Sequence, residues 1–133
     1  MQCPACNQAM LILEYKGIEL DHCPGCGGVW LDAGELGLLL HGVPEAPEGL
    51  ALAGARTGER RCPRCPRKMD VGRFPNSAVE VDVCPARHGL WLDRGELIAL
   101  AGEQAGKPET DVVVRHLQEL FGEEQNQMKE TKT

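Results

Sequence analysis

Eight residues have the types and the spacing to hold metal. Cys3-Pro4-Ala5-Cys6 and Cys23-Pro24-Gly25-Cys26 are Cys-x-x-Cys knuckles, and Cys62-Pro63-Arg64-Cys65 is a third. Cys84 and His88 complete a fourth, irregular pair. A Cys-x-x-Cys loop turns two sulfurs to one side, so two such loops brought together make a tetrahedral donor set. The expected sets are Cys3, Cys6, Cys23 and Cys26 at one site, and Cys62, Cys65, Cys84 and His88 at the other. A rubredoxin-like iron centre would suit the four-thiolate set. The imidazole at the second makes zinc the simpler choice for both, two ions in all. Four protein donors close a zinc site, whereas catalytic zinc keeps a position open, so both sites read as structural.

The cysteine count supports metal over disulfides. Seven is odd, all seven fall in the ligand pattern, and no apolar segment that could direct secretion precedes Cys3. No apolar run has the length of a membrane span. The expectation is a cytoplasmic chain with reduced thiols.

The knuckles need elements to bring them together. Between the first two, Leu11–Tyr15 and Ile18–His22 flank Lys16-Gly17, a two-residue turn signal between β-prone runs. Between the second two, Met69–Phe74 and Val79–Val83 form the matching hairpin, and Val79, Val81 and Val83 alternate with Glu80 and Asp82. After each ligand set comes Trp-Leu-Asp-x-Gly-Glu-Leu, at Trp30–Leu36 and again at Trp91–Leu97. Asp32 with Glu35, and Asp93 with Glu96, have capping-box spacing ahead of an apolar run. The expected helices are 33–41, stopped by Gly42, and 94–103. These carboxylates therefore read as caps rather than an acid–base pair, and Trp30 and Trp91 as the small core of each unit.

The two units align with an offset of 61 from Ile18/Val79 to Leu36/Leu97, and of 59 from Cys3/Cys62 to Tyr15/Phe74. The length change falls in the hairpin turn. At the constant offset Cys26 maps onto Arg87, so His88 is displaced by one residue, a shift that the longer imidazole can absorb.

Gly 16 and Pro 9 among 133 residues, with only five aromatics, leave little core for each unit, so metal must supply stability. Seven thiolates and two divalent ions take the formal charge from -6 to -9. That disfavours sequence-independent binding to nucleic acid. The charge is uneven: residues 1–60 carry -5, 61–108 carry +2 and 109–133 carry -3. Arg60, Arg61, Arg64, Arg67, Lys68 and Arg73 gather at the start of the second unit. They are candidates for contact with nucleic acid or an acidic partner, weighed against a solvated surface paired with the acidic first unit.

The two Cys-Pro-x-Cys knuckles and the Trp-Leu-Asp-x-Gly-Glu-Leu block together resemble the bacterial proteins that carry a TFIIB-like, transcription-factor-type zinc ribbon. The likeness covers residues 3 to about 40 and 62 to about 101. It implies zinc and a ribbon fold; the family name by itself implies no DNA binding.

The fold expected is a small metal-stabilised α+β protein: tandem zinc ribbons with rubredoxin-like β-hairpin knuckles, each followed by a short helix, plus a C-terminal amphipathic helix. The expected division is 1–41, a linker over 42–60, 61–106, and 107–133, where Val113, Leu117, Leu120 and Phe121 form a stripe able to fold back or dimerise. The function expected is a non-enzymatic zinc module acting through protein contacts. A nucleic-acid-binding factor using the basic face and a thiol redox sensor are the alternatives.

Overall fold

The computed structural model describes residues 1–15 and 17–103. The expected C-terminal helix, and the dimer it would support, lie outside them. Both predicted hairpins form. The first is β1 (Leu11–Tyr15) with β2 (Ile18–His22), closed by Tyr15 opposite Ile18. Gly17 takes φ 80 in its turn, a conformation open to glycine at no steric cost.

Each ribbon also has a third strand that the hairpin pattern does not announce. In the first unit it is β3 (Val29–Asp32), followed by helix α1 (Glu35–His41). The second unit opens with β4 (Ala53–Arg61) and has its hairpin in β5 (Lys68–Arg73) and β6 (Glu80–Val83). Its third strand is β7 (Gly89–Leu92), followed by helix α2 (Glu96–Gly102). All seven strands join one antiparallel sheet in the order β1-β2-β3-β7-β6-β5-β4.

The seam of the sheet is β3 against β7, with Trp30 opposite Trp91 and Leu31 opposite Leu90. The two ribbons, expected as tandem units on either side of a linker, are thus halves of one sheet. The physical reason lies in β3 and β7 themselves. Val29, Trp30, Leu31, Leu90, Trp91 and Leu92 are all buried, so these strands carry apolar side chains on both faces. A strand of that kind belongs in the middle of a sheet, with both faces covered.

The two faces divide the core. On one, Leu31, Leu90 and Leu92 pack with Leu36, Leu39 and Leu40 of α1 and Leu97 and Leu100 of α2. On the other, Trp30, Trp91 and Met69 pack with the buried cysteines Cys3, Cys23, Cys62 and Cys84. Each large apolar side chain so buried contributes about 1.5–3 kcal/mol.

Two expectations need correction. The helices begin later than 33 and 94: Gly34 (φ 91) and Gly95 (φ 86) stand at their N-caps, and neither cap makes a side-chain hydrogen bond. Asp32 and Asp93 are therefore not caps. The reciprocal half of the expected box does form, since the Asp32 N–H donates to Glu35 Oε1 at 2.7 Å and the Asp93 N–H to Glu96 Oε1 at 2.6 Å. Nor is 42–60 wholly a linker. It holds a 3-10 turn, Pro47–Leu50, and then β4, which pairs with β5 through two irregularities of register. Leu50 anchors the turn, buried among the leucines. Small and glycine residues hid β4, because its pairing depends on backbone rather than on an apolar face.

Candidate metal centres

All eight predicted ligands come together as two clusters, Cys3, Cys6, Cys23 and Cys26, and Cys62, Cys65, Cys84 and His88. Within each, the donor atoms lie within 4.8 Å of one another. A tetrahedral zinc with bonds of about 2.3 Å sets sulfurs about 3.8 Å apart. The first site has Cys3 and Cys26 sulfurs at 3.6 Å and Cys6 and Cys23 sulfurs at 3.3 Å. The second has Cys65 and Cys84 sulfurs at 3.7 Å, and His88 Nδ1 at 3.4 Å from Cys84 Sγ and 4.0 Å from Cys62 Sγ. These spacings fit a bound zinc at each cluster.

The knuckle backbone prepares the sulfurs for negative charge. The Ala5 and Cys6 N–H groups donate to Cys3 Sγ at 3.3 and 3.4 Å, and the Arg64 N–H donates to Cys62 Sγ at 3.3 Å. Without metal the thiols differ. Burial pushes Cys3 up, and Cys62 to about 12. Burial also raises Cys23, but hydrogen bonds led by the Cys26 N–H outweigh it and bring Cys23 to about 7. The Arg67 N–H leads the groups that lower Cys65 to about 7. Zinc loading must therefore displace protons from the buried thiols, and affinity falls as pH falls.

The displaced ligand has a backbone cause. In the first unit the Gly27 N–H closes the knuckle on the Cys23 carbonyl at 2.9 Å, with Gly27 at φ 79. In the second the Arg87 N–H closes it on Cys84 at 2.9 Å, one residue sooner, and Arg87 takes the positive φ, 64. The earlier turn brings His88 to the metal. The knuckles rejoin the common path at once, since Cys23 N–H donates to Gly28 and Cys84 N–H to Gly89. Arg87, freed of ligation, donates from Nη1 to the Leu50 carbonyl at 3.0 Å and ties down the turn before β4.

The Trp-Leu-Asp-x-Gly-Glu block builds the ground between the sites. Trp30 Nε1 donates to Asp32 Oδ1 at 3.0 Å and Trp91 Nε1 to Asp93 Oδ1 at 3.2 Å. Each ring lies over the other unit's glycine: a Cβ on Gly28 would overlap the Trp91 ring, and one on Gly89 would meet the Trp30 ring and the Leu31 carbonyl. Burial pushes Glu35 and Glu96 to about 7, against the N–H bond each accepts. Asp32 is held below its ordinary value because its bonds from Arg64 and Trp30 outweigh the opposing effect of burial.

The basic cluster divides. Arg64 forms a two-pronged ion pair with Asp32, its Nη2 2.7 Å from Oδ2, and so clamps the second knuckle to the first unit. Arg61 Nη1 donates to the Pro66 carbonyl at 2.6 Å, and Lys68 Nζ lies 3.6 Å from Glu59. Arg67 and Arg73 are exposed. The basic second unit thus pairs in part with the acidic first. Arg60 of β4, also in the basic cluster, donates to Asp93 at 2.6 Å within the second unit. Sequence reasoning missed two contributors. Arg94 Nε donates to the Cys26 carbonyl at 3.1 Å, across the seam. The glycine pair 28/89 is the second. Its signal was present, as glycine preceding a short, wholly apolar run in both copies.

Among the described residues no helix is long and apolar enough to cross a membrane. No curated protein and no solved structure matches the chain. The family described as "Transcription factor zinc-finger", the TFIIB-type zinc ribbon, matches residues 2–41 and 61–102, more than half of the chain. Both matched segments carry a complete ligand cluster, so this protein belongs to that zinc-ribbon family, in two tandem copies that hold two zinc ions.

Proposed function

We propose that this protein is a non-enzymatic, cytoplasmic zinc module whose two structural ions hold a surface for protein contacts, as an adaptor or regulator does. The observation that carries the reading is the closure of both clusters: four protein donors converge on each, where a catalytic zinc would keep a position for water or substrate. The engagement of Arg64 with Asp32 favours protein over nucleic acid, because it commits one cation of the basic face to the protein's own carboxylate. Structural zinc contributes about 10–16 kcal/mol per site, comparable with the whole stability of a small domain.

The test is co-purification with the zinc-loaded chain, scored for proteins and nucleic acids together. Expected are protein partners that survive nuclease treatment and are lost when a chelator unfolds the bait. Binding only of nucleic acid at low salt, abolished by Arg67→Glu with Arg73→Glu, would overturn the reading in favour of a nucleic-acid factor. Zinc release at low peroxide, with loss of those partners, would instead make it a redox sensor. Arg64 is a poor probe here, since its substitution also breaks the clamp on Asp32.

A further inference from the structure

The sheet ends differently on its two sides. On the second unit's side, β5 is covered by β4. On the first unit's side β1, the counterpart of β5, is the outermost strand. The ladders start alike: Gln2 bridges Ala9 as Arg61 pairs with Lys68, the same two positions at the offset of 59. The Met10 N–H then donates to the Met1 carbonyl at 3.0 Å. Beyond that rung the second unit continues, through Thr57 opposite Asp70 and Arg56 opposite Val71. In the first unit, among the described residues, no strand pairs with the outer edge of residues 11–14.

The missing strand leaves apolar surface behind. Leu11 is 56% exposed and Ile12 65% exposed. Val71, the counterpart of Ile12, is half-buried, and β4 lies so close to it that a Cβ on Gly58 would overlap its methyl group. Met69 is fully buried, whereas its counterpart Met10 is only partly so. The charge is also incomplete. Arg56 of β4 grips Glu80 with two hydrogen bonds, at 3.0 and 3.1 Å. Glu19, the counterpart of Glu80, has no ion-pair partner among the described residues, and it stands directly across from Glu14. Like charges opposed on neighbouring strands are unfavourable, and an arginine beside them would relieve the repulsion.

We propose that the outer edge of β1 is a docking site for an extended, arginine-bearing segment of a partner protein, taken up as a further antiparallel strand in the way the chain's own β4 is taken up by β5. The proposal rests on the protein-contact reading above and gives it a place and a chemistry. Main-chain hydrogen bonds supply affinity in such strand addition, and side-chain fit supplies selectivity. The fit required is a small residue over Ile12 and a guanidinium reaching Glu14 and Glu19. A second copy of this edge fits badly, because it would bring another Glu14, with another Glu19 one strand behind it. Leu13 adds a further condition. It replaces Gly72, against which the start of β4 bends closely, so the incoming strand must run straight there.

The test uses the zinc-loaded full chain and a synthetic peptide Ala-Arg-Thr-Gly-Glu-Arg-Arg, the sequence of residues 55–61. Amide hydrogen exchange is followed along β1. Expected is slowing of the outward-facing, alternate amides of residues 11–14 by about tenfold or more at millimolar peptide, weakened about tenfold by Glu19→Lys and abolished when the peptide is N-methylated at alternate amides. Unchanged exchange at millimolar peptide, or slowing indifferent to both changes, would overturn the proposal. So would an edge already protected in the free chain at every dilution, covered by residues 104–133, or a dimer that Ile12→Arg dissolves, covered by a second copy. Peptide docking without any co-purified protein would keep the edge and remove the adaptor reading. Partners retained by the Ile12→Arg, Glu19→Lys variant would keep the adaptor reading and remove the edge.

Discussion

The two ribbons agree where they meet and differ at their outer parts. At the seam the correspondence is close: each Trp bonds its unit's Asp and faces the other unit's glycine, and each Asp N–H bonds its unit's Glu. Away from it the units diverge. A cysteine gives way to a histidine at the metal, the second unit has an outer strand, β4, without a counterpart among the described residues of the first, and unit 2 extends Arg64 and Arg94 where unit 1 has Ala5 and Ala33. The difference teaches that the invariant block is an interface. A ligand could move by one residue because the backbone turn that carries it could close sooner. The Trp block could not move, because each ring must find a glycine on the other unit. The arginines then make a pseudo-symmetric pair directional, as the basic unit holds the acidic one.

The largest break in this comparison comes from the rings. Trp30→Ala and Trp91→Ala should each cost about 3–5 kcal/mol, as for other buried aromatics, and by similar amounts, measured by chemical denaturation of the zinc-loaded protein. Markedly unequal costs would mean that one unit folds on its own and templates the other. Next come the glycines, where Gly28→Ala and Gly89→Ala should cost about 1–3 kcal/mol by overpacking. Gly89→Ala should be the worse of the two, since its new Cβ meets the Leu31 carbonyl as well as a ring.

The smallest effect is one of pH. Glu35 and Glu96 have folded values raised to about 7, chiefly by burial. A raised carboxyl contributes stability fully below its ordinary value near 4.5, and that contribution is lost as pH rises through about 7. Glu35→Gln with Glu96→Gln removes it. The melting temperature of the variant minus that of the parent should therefore increase from about pH 5 to about pH 8. Taking the difference cancels the opposite pH dependence of zinc binding, and parallel curves would contradict the assignment.

The ligands, both hairpins and the repeat were legible in the sequence because each rests on local rules: knuckle spacing, period-two alternation and a glycine turn. The seam was not legible. Val29–Leu31 and Leu90–Leu92 are too short to show a period, and their burial on both faces arises only once each has the other beside it. Strand β4 was hidden for a related reason, since Ala53, Gly54, Ala55 and Gly58 read as linker until β5 offers them hydrogen bonds. Asp32 and Asp93 had cap spacing, yet each found an indole and a guanidinium instead, the guanidinium on Asp32 coming from the other unit. Local pattern located the carboxylates; tertiary contacts decided their partners.

The central claim is that the two ribbons form one cooperative body through Trp30 and Trp91. It is tested most directly by emptying one metal site and watching the other. In Cys6→Ser, Cys26→Ser protein, site 1 loses two thiolates while the buried cysteines of the shared core stay in place. Zinc affinity at site 2 and amide protection along β7 are then measured. The account predicts that both fall well below those of the parent protein. Unchanged zinc affinity at site 2, with β7 as protected as before, would contradict it.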